Sequence, residues 1–470
     1  MNTKQVAASV LDAFRGALAD VSPRSIVRKA LEVRDGRLLV GGREHPLERN
    51  VRLVAFGKAA VEMVRGAEEA LGAHVADGIA SVPHRPQNSA EFKTQFLEGG
   101  ADNLPDAAAV ENTRRILRFL EANKRESLVL FLVSGGGSAL LCSPVDGVSL
   151  DEKLETIRLL ASNGADITQL NTVRQLLSKV KGGKLAARVA PATGIALIIS
   201  DIVGGRIEKV SSGPTVAQEC RPQDAADVMR RLGVWERAPA AVRRVIQSTP
   251  PSNDSSRDAA VENLLVCDNR RFLACMKERL EVAGLPTTIV TAELEGNAEE
   301  VGRKLAAPLA AWLGGRDAEI TPPFRSTTSE FRVPSAGSFA WLFGGETVVR
   351  FPPDLPAGGK PKGGRNQELA LSVLHRLLDT SAVDRSDRSF ACFSLGTDGQ
   401  DGPTDAAGAF VIAENLRNSS ERLRTDVRRH LEQKTSYAFW STFEAGAQLV
   451  KCGKTGHNLM DCILLVFLRP

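Results

Sequence analysis

Residues 128–141 read LVLFLVSGGGSALL. The six apolar residues Leu128–Val133 leave no polar face, so they predict a strand buried on both sides, as in a parallel sheet covered by helices. Ser134-Gly135-Gly136-Gly137-Ser138 then turns the chain into a helical pattern. Glycines let the backbone approach an anion closely, and helix amides can hold it, so this turn is a candidate phosphate loop. A tight strand-to-helix turn is the plainer reading. Two common nucleotide signatures fail. The P-loop pattern breaks at Gly453-Lys454-Thr455, where its first glycine is Gln448, and the dinucleotide fingerprint has Leu140 in place of its third glycine.

Outward from this stretch the same unit recurs. Val51–Phe56 precedes Gly57-Lys58-Ala59-Ala60, Ile195–Ser200 precedes Asp201, and Leu264–Cys267 precedes Asp268-Asn269. Phe339–Phe343 precedes Gly344-Gly345-Glu346-Thr347, and Phe390–Leu395 precedes Gly396-Thr397-Asp398-Gly399. Strands alternating with helices predict an α/β fold, in which ligands bind beyond the carboxyl ends of the strands. The unusual residues of this chain collect at those ends. Val6, Val10, Leu11, Phe14 and Leu18 fall at helical spacing and predict an N-terminal helix. Residues 247–257 (QSTPPSNDSSR) read as a linker, 314–338 as an insertion and 352–364 as a loop, which divides the chain into domains at 1–250 and 258–470.

The bulk numbers narrow the function. The chain has 470 residues, 43% hydrophobic and 25% charged, with a formal net charge of +4. That is ordinary globular composition, and it favours neither a nucleic-acid binder nor a polybasic membrane anchor. Seven scattered cysteines with no C-x-x-C pair fit a reducing compartment, and six isolated histidines make a zinc site improbable. No apolar run reaches transmembrane length. Asp12 and Asp20 argue against a transit peptide, so cytoplasm is the expected location, with a mitochondrial pool left open.

Several residues can carry chemistry. Lys58, at a helix start, would oppose the helix dipole unless an anion sits beside it, and as a compact charge it could neutralise a phosphoryl group; a solvated surface lysine is the alternative. Asp201 ends a strand, while Asp398 and Asp401 share the loop GTDGQDGPTDAAG. Clustered carboxylates at strand ends suit Mg2+, although Asp-Gly is also plain turn chemistry. Arg365, after Gly363-Gly364, offers a forked donor to carboxylate or phosphate, and Asn366 beside it could bind ligand or cap a helix. The small polar loops Ser211–Thr215 and Lys454–Asn458 could line a cleft. Asn171, Arg174, Lys179 and Lys184 form a basic run that is weak evidence by itself.

Together these segments resemble one family, the glycerate 2-kinases that carry a MOFRL C-terminal domain. The resemblance runs in order through Gly57-Lys58-Ala59, VSGGGSALL, LNTVRQLLSKVKGGKLA, Ser200-Asp201, SSGPT, Gly345-Glu346-Thr347, GGRNQE, GTDGQDGPTDAAG and TGHNLMD. It implies transfer of the γ-phosphoryl group of ATP to the 2-hydroxyl of D-glycerate, with Mg2+. It also implies a Rossmann-like N-terminal domain with a parallel sheet, a smaller α/β MOFRL domain, and an active-site cleft between them. By position, Lys58, Arg365 and Asp201 are the expected catalytic residues. Ser134, Gly135, Gly136, Gly137, Ser138, Lys184, Ser212, Gly213, Pro214 and Thr215 are expected at nucleotide or phosphate. Lys58, Arg365 and Asn366 are expected at the substrate, and Glu346, Asp398 and Asp401 at the metal. The partners implied are small molecules, ATP and D-glycerate, without nucleic acid or membrane, and a homodimer is compatible with this. The chain departs from the family pattern at Gly205, where an Asp is usual, at His457 in the TGTN segment, and in Leu431–Tyr437, which lacks an Asp before the Tyr. An NAD(P)-dependent hydroxypyruvate reductase and a non-catalytic nucleotide or sugar-phosphate binding protein are the competing readings.

Overall fold

The structure, a computed structural model, describes residues 2–48, 50–100, 104–219, 221–250, 261–319, 337–351, 361–379, 387–417 and 420–470. Most of the expected linker, insertion and glycine-rich loop therefore lies outside the described residues. Packing divides the chain into two compact units, Pro23–Cys267 and a second made of Met1–Ser22 with Asp268–Pro470.

The Pro23–Cys267 unit is built on six parallel strands, Val51–Phe56, Val75–Val82, Thr94–Glu98, Leu128–Val133, Thr193–Ile199 and Val261–Cys267. Numbered 1 to 6 along the chain, they lie across the sheet in the order 3-2-1-4-5-6. The order reverses between Val51–Phe56 and Leu128–Val133, and a crevice opens at the carboxyl ends of such a neighbouring pair. Every residue of those two strands is buried, which is why their sequences are so uniformly apolar. The exception, Arg52, is held by Asp77, by the Phe119 carbonyl at 2.9 Å and by Asn123 at 2.7 Å, with its guanidinium 3.8 Å from the Phe119 ring centre. A separate helical layer packs around Leu160, Val173, Leu177, Met229 and Val242. It includes Leu150–Ser162, started by a capping box between Ser149 and Glu152, and Ile167–Leu176, started by another between Asp166 and Gln169. Glu32–Arg34, Arg37–Val40 and Arg43–Pro46 form a small antiparallel sheet.

The other unit carries a six-stranded sheet in the order Thr287–Asn297, Phe339–Val348, Asp461–Leu468, Ser389–Gly396, Gly408–Ile412, Leu449–Val450. This sheet is mixed: the first pair is parallel and the rest are antiparallel. Double-sided burial, covered by helices such as Ala298–Leu313 and Arg365–Leu378, produces the same apolar runs in either arrangement. Gly344-Gly345, expected to turn the chain, instead lies within the strand Phe339–Val348. A Cβ on Gly344 would stand 1.7 Å from Asn269 Oδ1, so glycine is needed for close packing rather than for a turn. The predicted N-terminal helix runs Thr3–Asp20, buries Val6, Val10, Phe14 and Leu18, and sets Phe14 edge-on to Phe272.

Candidate active site

In the Pro23–Cys267 unit the two central strands end side by side, and their following turns are tied together. Lys58 N–H donates to the Gly135 carbonyl at 2.9 Å, and Ala59 N–H donates to Ser134 Oγ at 3.1 Å. The three glycines have specific neighbours. A Cβ on Gly135 would lie 1.9 Å from Asp201 Oδ2, one on Gly136 would lie 2.9 Å from Lys58 Cγ, and one on Gly137 would lie 2.2 Å from Ser211 Oγ. The loop is thus a floor on which an aspartate, a lysine and a serine lie directly. The amides of Gly135 and Gly136 meet no acceptor among the described residues, so they remain able to donate to an anion. The helix that follows, Gly137–Leu140, is a single turn.

Lys58 is exposed and Asp201 is half-buried. Loss of hydration raises the pKa of Asp201, and the nearby Lys58 charge pulls the other way. A carboxylate of raised pKa next to an accessible ammonium can accept a proton beside a group being neutralised. The Ser211–Thr215 loop is buried and fixed from several sides. Ser211 Oγ donates to the Ser134 carbonyl at 3.0 Å, and Ser138 Oγ lies 2.9 Å from Ser212 Oγ. Ser211, Ser212 and Gly213 all have positive φ (53°, 64° and 63°). For the two serines that backbone is costly, and such costs concentrate at functional sites. Gly213 and Pro214 offer their carbonyls to Gly183, Leu185 and Ala186, and the Thr215 carbonyl accepts from Asn263. Lys184, expected at phosphate, directs its ammonium to the carbonyls of Gln175 at 2.8 Å and Ser178 at 2.6 Å, closing the end of a helix. Gly205 has φ +65°, a backbone that favours glycine over the usual Asp.

The other unit centres on Arg365, the first residue of its helix. Its guanidinium is gripped at both edges of the Asp461 carboxylate, at 2.6 and 3.0 Å, and pairs with Glu346 at 2.7 Å. Burial opposes its charge, but Asp461, Glu346 and Asp401 outweigh this and hold its proton more firmly than usual. Asn366 is buried as a hub: its amide donates to Asp461 at 2.9 Å and Asp401 at 3.3 Å, and its carbonyl accepts from Ser394 at 2.7 Å. Asp401 caps the helix from another loop, accepting the N–H of Asn366 at 3.0 Å and of Gln367 at 2.8 Å. Burial pushes its carboxyl up to about 7, against the pull of those two amides. Asp398 accepts the Gln400 N–H at 3.0 Å. The three expected metal ligands thus have protein partners, and no group of three His, Cys, Asp or Glu that could hold a metal stands together among the described residues. They do not fit a protein-held Mg2+ as they stand.

Sequence reasoning passed over Asp461 and two buried lysines, Lys153 and Lys181. Asp461 ends the TGHNLMD segment, and its place on a buried strand start was the available signal. Lys153 had none, because it sits in ordinary-looking helical sequence, whereas Lys181 lies in the segment LNTVRQLLSKVKGGKLA, where nothing set it apart from the neighbouring lysines.

A doubly wound parallel sheet with Lys58 and a triple-glycine loop at its switch point, and Asp201 reaching that loop from the next strand, defines an α/β protein of the ligand-binding doubly wound class. The chain's place within that class comes from its relatives. Residues 9–247 match a family described as a domain of unknown function, DUF4147, and residues 339–461 match the MOFRL family. A glycerate kinase of Homo sapiens is 35% identical, with 97% of this chain and 92% of that protein covered. A glycerate 2-kinase of Pyrococcus horikoshii is 31% identical, with 96% and 94% covered. The crystal structure of a glycerate kinase from Thermotoga maritima superposes with a TM-score of 0.77 at 29% identity, covering 99% of this chain and 100% of that one. The chain belongs to the glycerate kinase family.

Proposed function

We propose that the protein transfers the γ-phosphoryl group of ATP to the 2-hydroxyl of D-glycerate. The observation that carries this reading is the juxtaposition of an accessible Lys58, lying on Gly136, and Asp201, lying on Gly135. Lys58 is assigned to the oxygens of the transferring phosphoryl group, where a fixed cation stabilises charge that develops during transfer. The amides of Gly135 and Gly136, with Ser138 and the Ser212–Thr215 loop, support phosphate binding. Asp201 orients the 2-hydroxyl and takes its proton as the oxygen–phosphorus bond forms and the bond to the ADP oxygen breaks. Arg365 is assigned to the glycerate carboxylate, which it would bind by giving up part of its hold on Glu346 or Asp461. Asn366 and Asp401 act through Arg365 by fixing its helix. Mg2+ is written as part of the Mg-ATP substrate, and no step is derived through an ion held by Glu346, Asp398 or Asp401. The same reading expects a cytoplasmic enzyme and is compatible with a homodimer, which light scattering after size-exclusion chromatography would read.

The direct test is ADP release by purified protein with Mg-ATP, with and without D-glycerate, and the product located by phosphorus NMR. Glycerate-dependent ADP with phosphate on the 2-hydroxyl is expected. ADP release that ignores glycerate would sink the assignment, and phosphate on the 3-hydroxyl would correct its regiochemistry. Lys58→Ala should cut kcat by about two or more orders of magnitude with the fold retained.

A further inference from the structure

Three cations close to the Ser138 and Ser212 loops have no part in the proposed chemistry. Lys153 lies on Leu150–Ser162, Arg174 on Ile167–Leu176, and Lys181 just beyond. Lys153 is 4% exposed and Lys181 is 2% exposed. The Lys181 ammonium donates to two carbonyls, of Ser138 and Ser211, each at 3.3 Å. Lys153 meets the Cys142 thiol at 3.9 Å. No carboxylate among the described residues acts on any of the three cations. Burial lowers the pKa of all three, and for Lys181 the charges of Lys153 and Arg174 lower it further. Uncompensated buried charge is expensive and is ordinarily paired.

A second feature points the same way. Asn171, 5% exposed and one helical turn before Arg174, has a buried amide Nδ2 with no hydrogen-bond partner. Its Oδ1 is taken by Ser212 Oγ at 3.0 Å, and Ser212 in turn meets Ser138. The neighbourhood therefore holds surplus donors and surplus positive charge next to Ser211 and Ser212, both in a costly backbone conformation. An anionic ligand would satisfy both surpluses.

We propose that Lys153, Arg174 and Lys181, with the Asn171 amide, form an oxyanion-binding subsite behind the Ser138 and Ser212 loops. Its ligand is a substrate oxyanion, either the phosphate tail of the nucleotide or the carboxylate of the acceptor acid. The identity of these two candidates rests on the kinase reading; the anion site itself does not. Lys181 contributes as a binding residue whose charge is stabilised when the anion arrives.

The test titrates the full-length protein and its Lys181→Met and Lys153→Met variants by calorimetry with inorganic tripolyphosphate, ADP and D-glycerate separately, at constant ionic strength. Both variants should bind one class of ligand at least tenfold more weakly, tripolyphosphate with ADP or D-glycerate, and the other class within about twofold of wild type. Ligand-free Lys181→Met should unfold no lower than wild type. Variants that bind all three ligands as wild type does overturn the subsite. A Lys181→Met chain that fails to fold makes that lysine structural and overturns its role, and Lys153→Met with Arg174→Gln then decides the remainder. Wild-type protein without glycerate-dependent turnover defeats the kinase assignment while leaving these titrations to stand or fall independently.

Discussion

Gly135 and Lys181 show how single residues set the chemistry. Adding one methyl at Gly135 places it 1.9 Å from Asp201 Oδ2, so Gly135→Ala must displace the aspartate or the loop. Expected is a loss of kcat/KM of roughly a hundredfold with an unchanged far-ultraviolet dichroism spectrum, since misplacement by about 1 Å costs that much in positioning. At Lys181 the sign of a pH effect follows from linkage. Its ammonium, facing Lys153, Arg174 and the Cys142 thiol, is pushed from an ordinary 10.5 down to about 7 by burial and by those cations. The charged form therefore weakens the folded state fully below pH 7, and the penalty fades as pH rises from about 7 to 10.5. Lys181→Met should be more stable than wild type by about 1–3 kcal/mol at pH 6, with the gap closing near pH 10 in denaturant titrations. A gap independent of pH would contradict the account. The triple glycine was legible as a signal, but its reason was not: each glycine makes room for a side chain from elsewhere in the fold. Lys58 and Asp201 were legible because they end strands. Lys153 and Lys181 were not, because burial of a lysine is decided by packing that no local pattern records.

At the level of elements, the helix Arg365–Leu378 begins without a capping side chain of its own, as its N-cap is Gly364. Asp401 supplies the cap across the fold through two backbone amides. Asp401→Ala would leave both amides buried and unsatisfied. Expected is a loss of about 2–4 kcal/mol in stability and a raised KM for glycerate through displaced Arg365, whereas Asp401→Asn, which retains an acceptor, should cost less. The strands Val51–Phe56 and Leu128–Val133 were readable to the residue because both faces of each are covered. The direction of the strands in the other sheet was not, since complete burial erases the alternation that would report it.

Across the whole chain, the division is discontinuous: the first helix belongs with residues from 268 onward. Its apolar stripe announced that one face would be buried, and nothing in the stripe could say against what. Val6, Val10, Phe14 and Leu18 are buried there, and Arg279 reaches back to Asp20 at 2.7 Å. Removing residues 1–22 should lower the unfolding midpoint of that unit by on the order of 10 °C. Trp312, Trp341 and Trp440 lie in that unit, and Trp235 alone lies in the other, so intrinsic fluorescence would follow the change.

That split membership has a consequence for synthesis. As the chain leaves the ribosome, the first helix emerges roughly 250 residues before the helix Asn269–Val282 that packs on it, and the whole Pro23–Cys267 unit is made in between. The nascent protein must carry this apolar stripe uncovered for tens of seconds at ordinary elongation rates. The stripe is a target for chaperones that screen emerging chains, and slow or stalled translation beyond residue 267 would prolong its exposure.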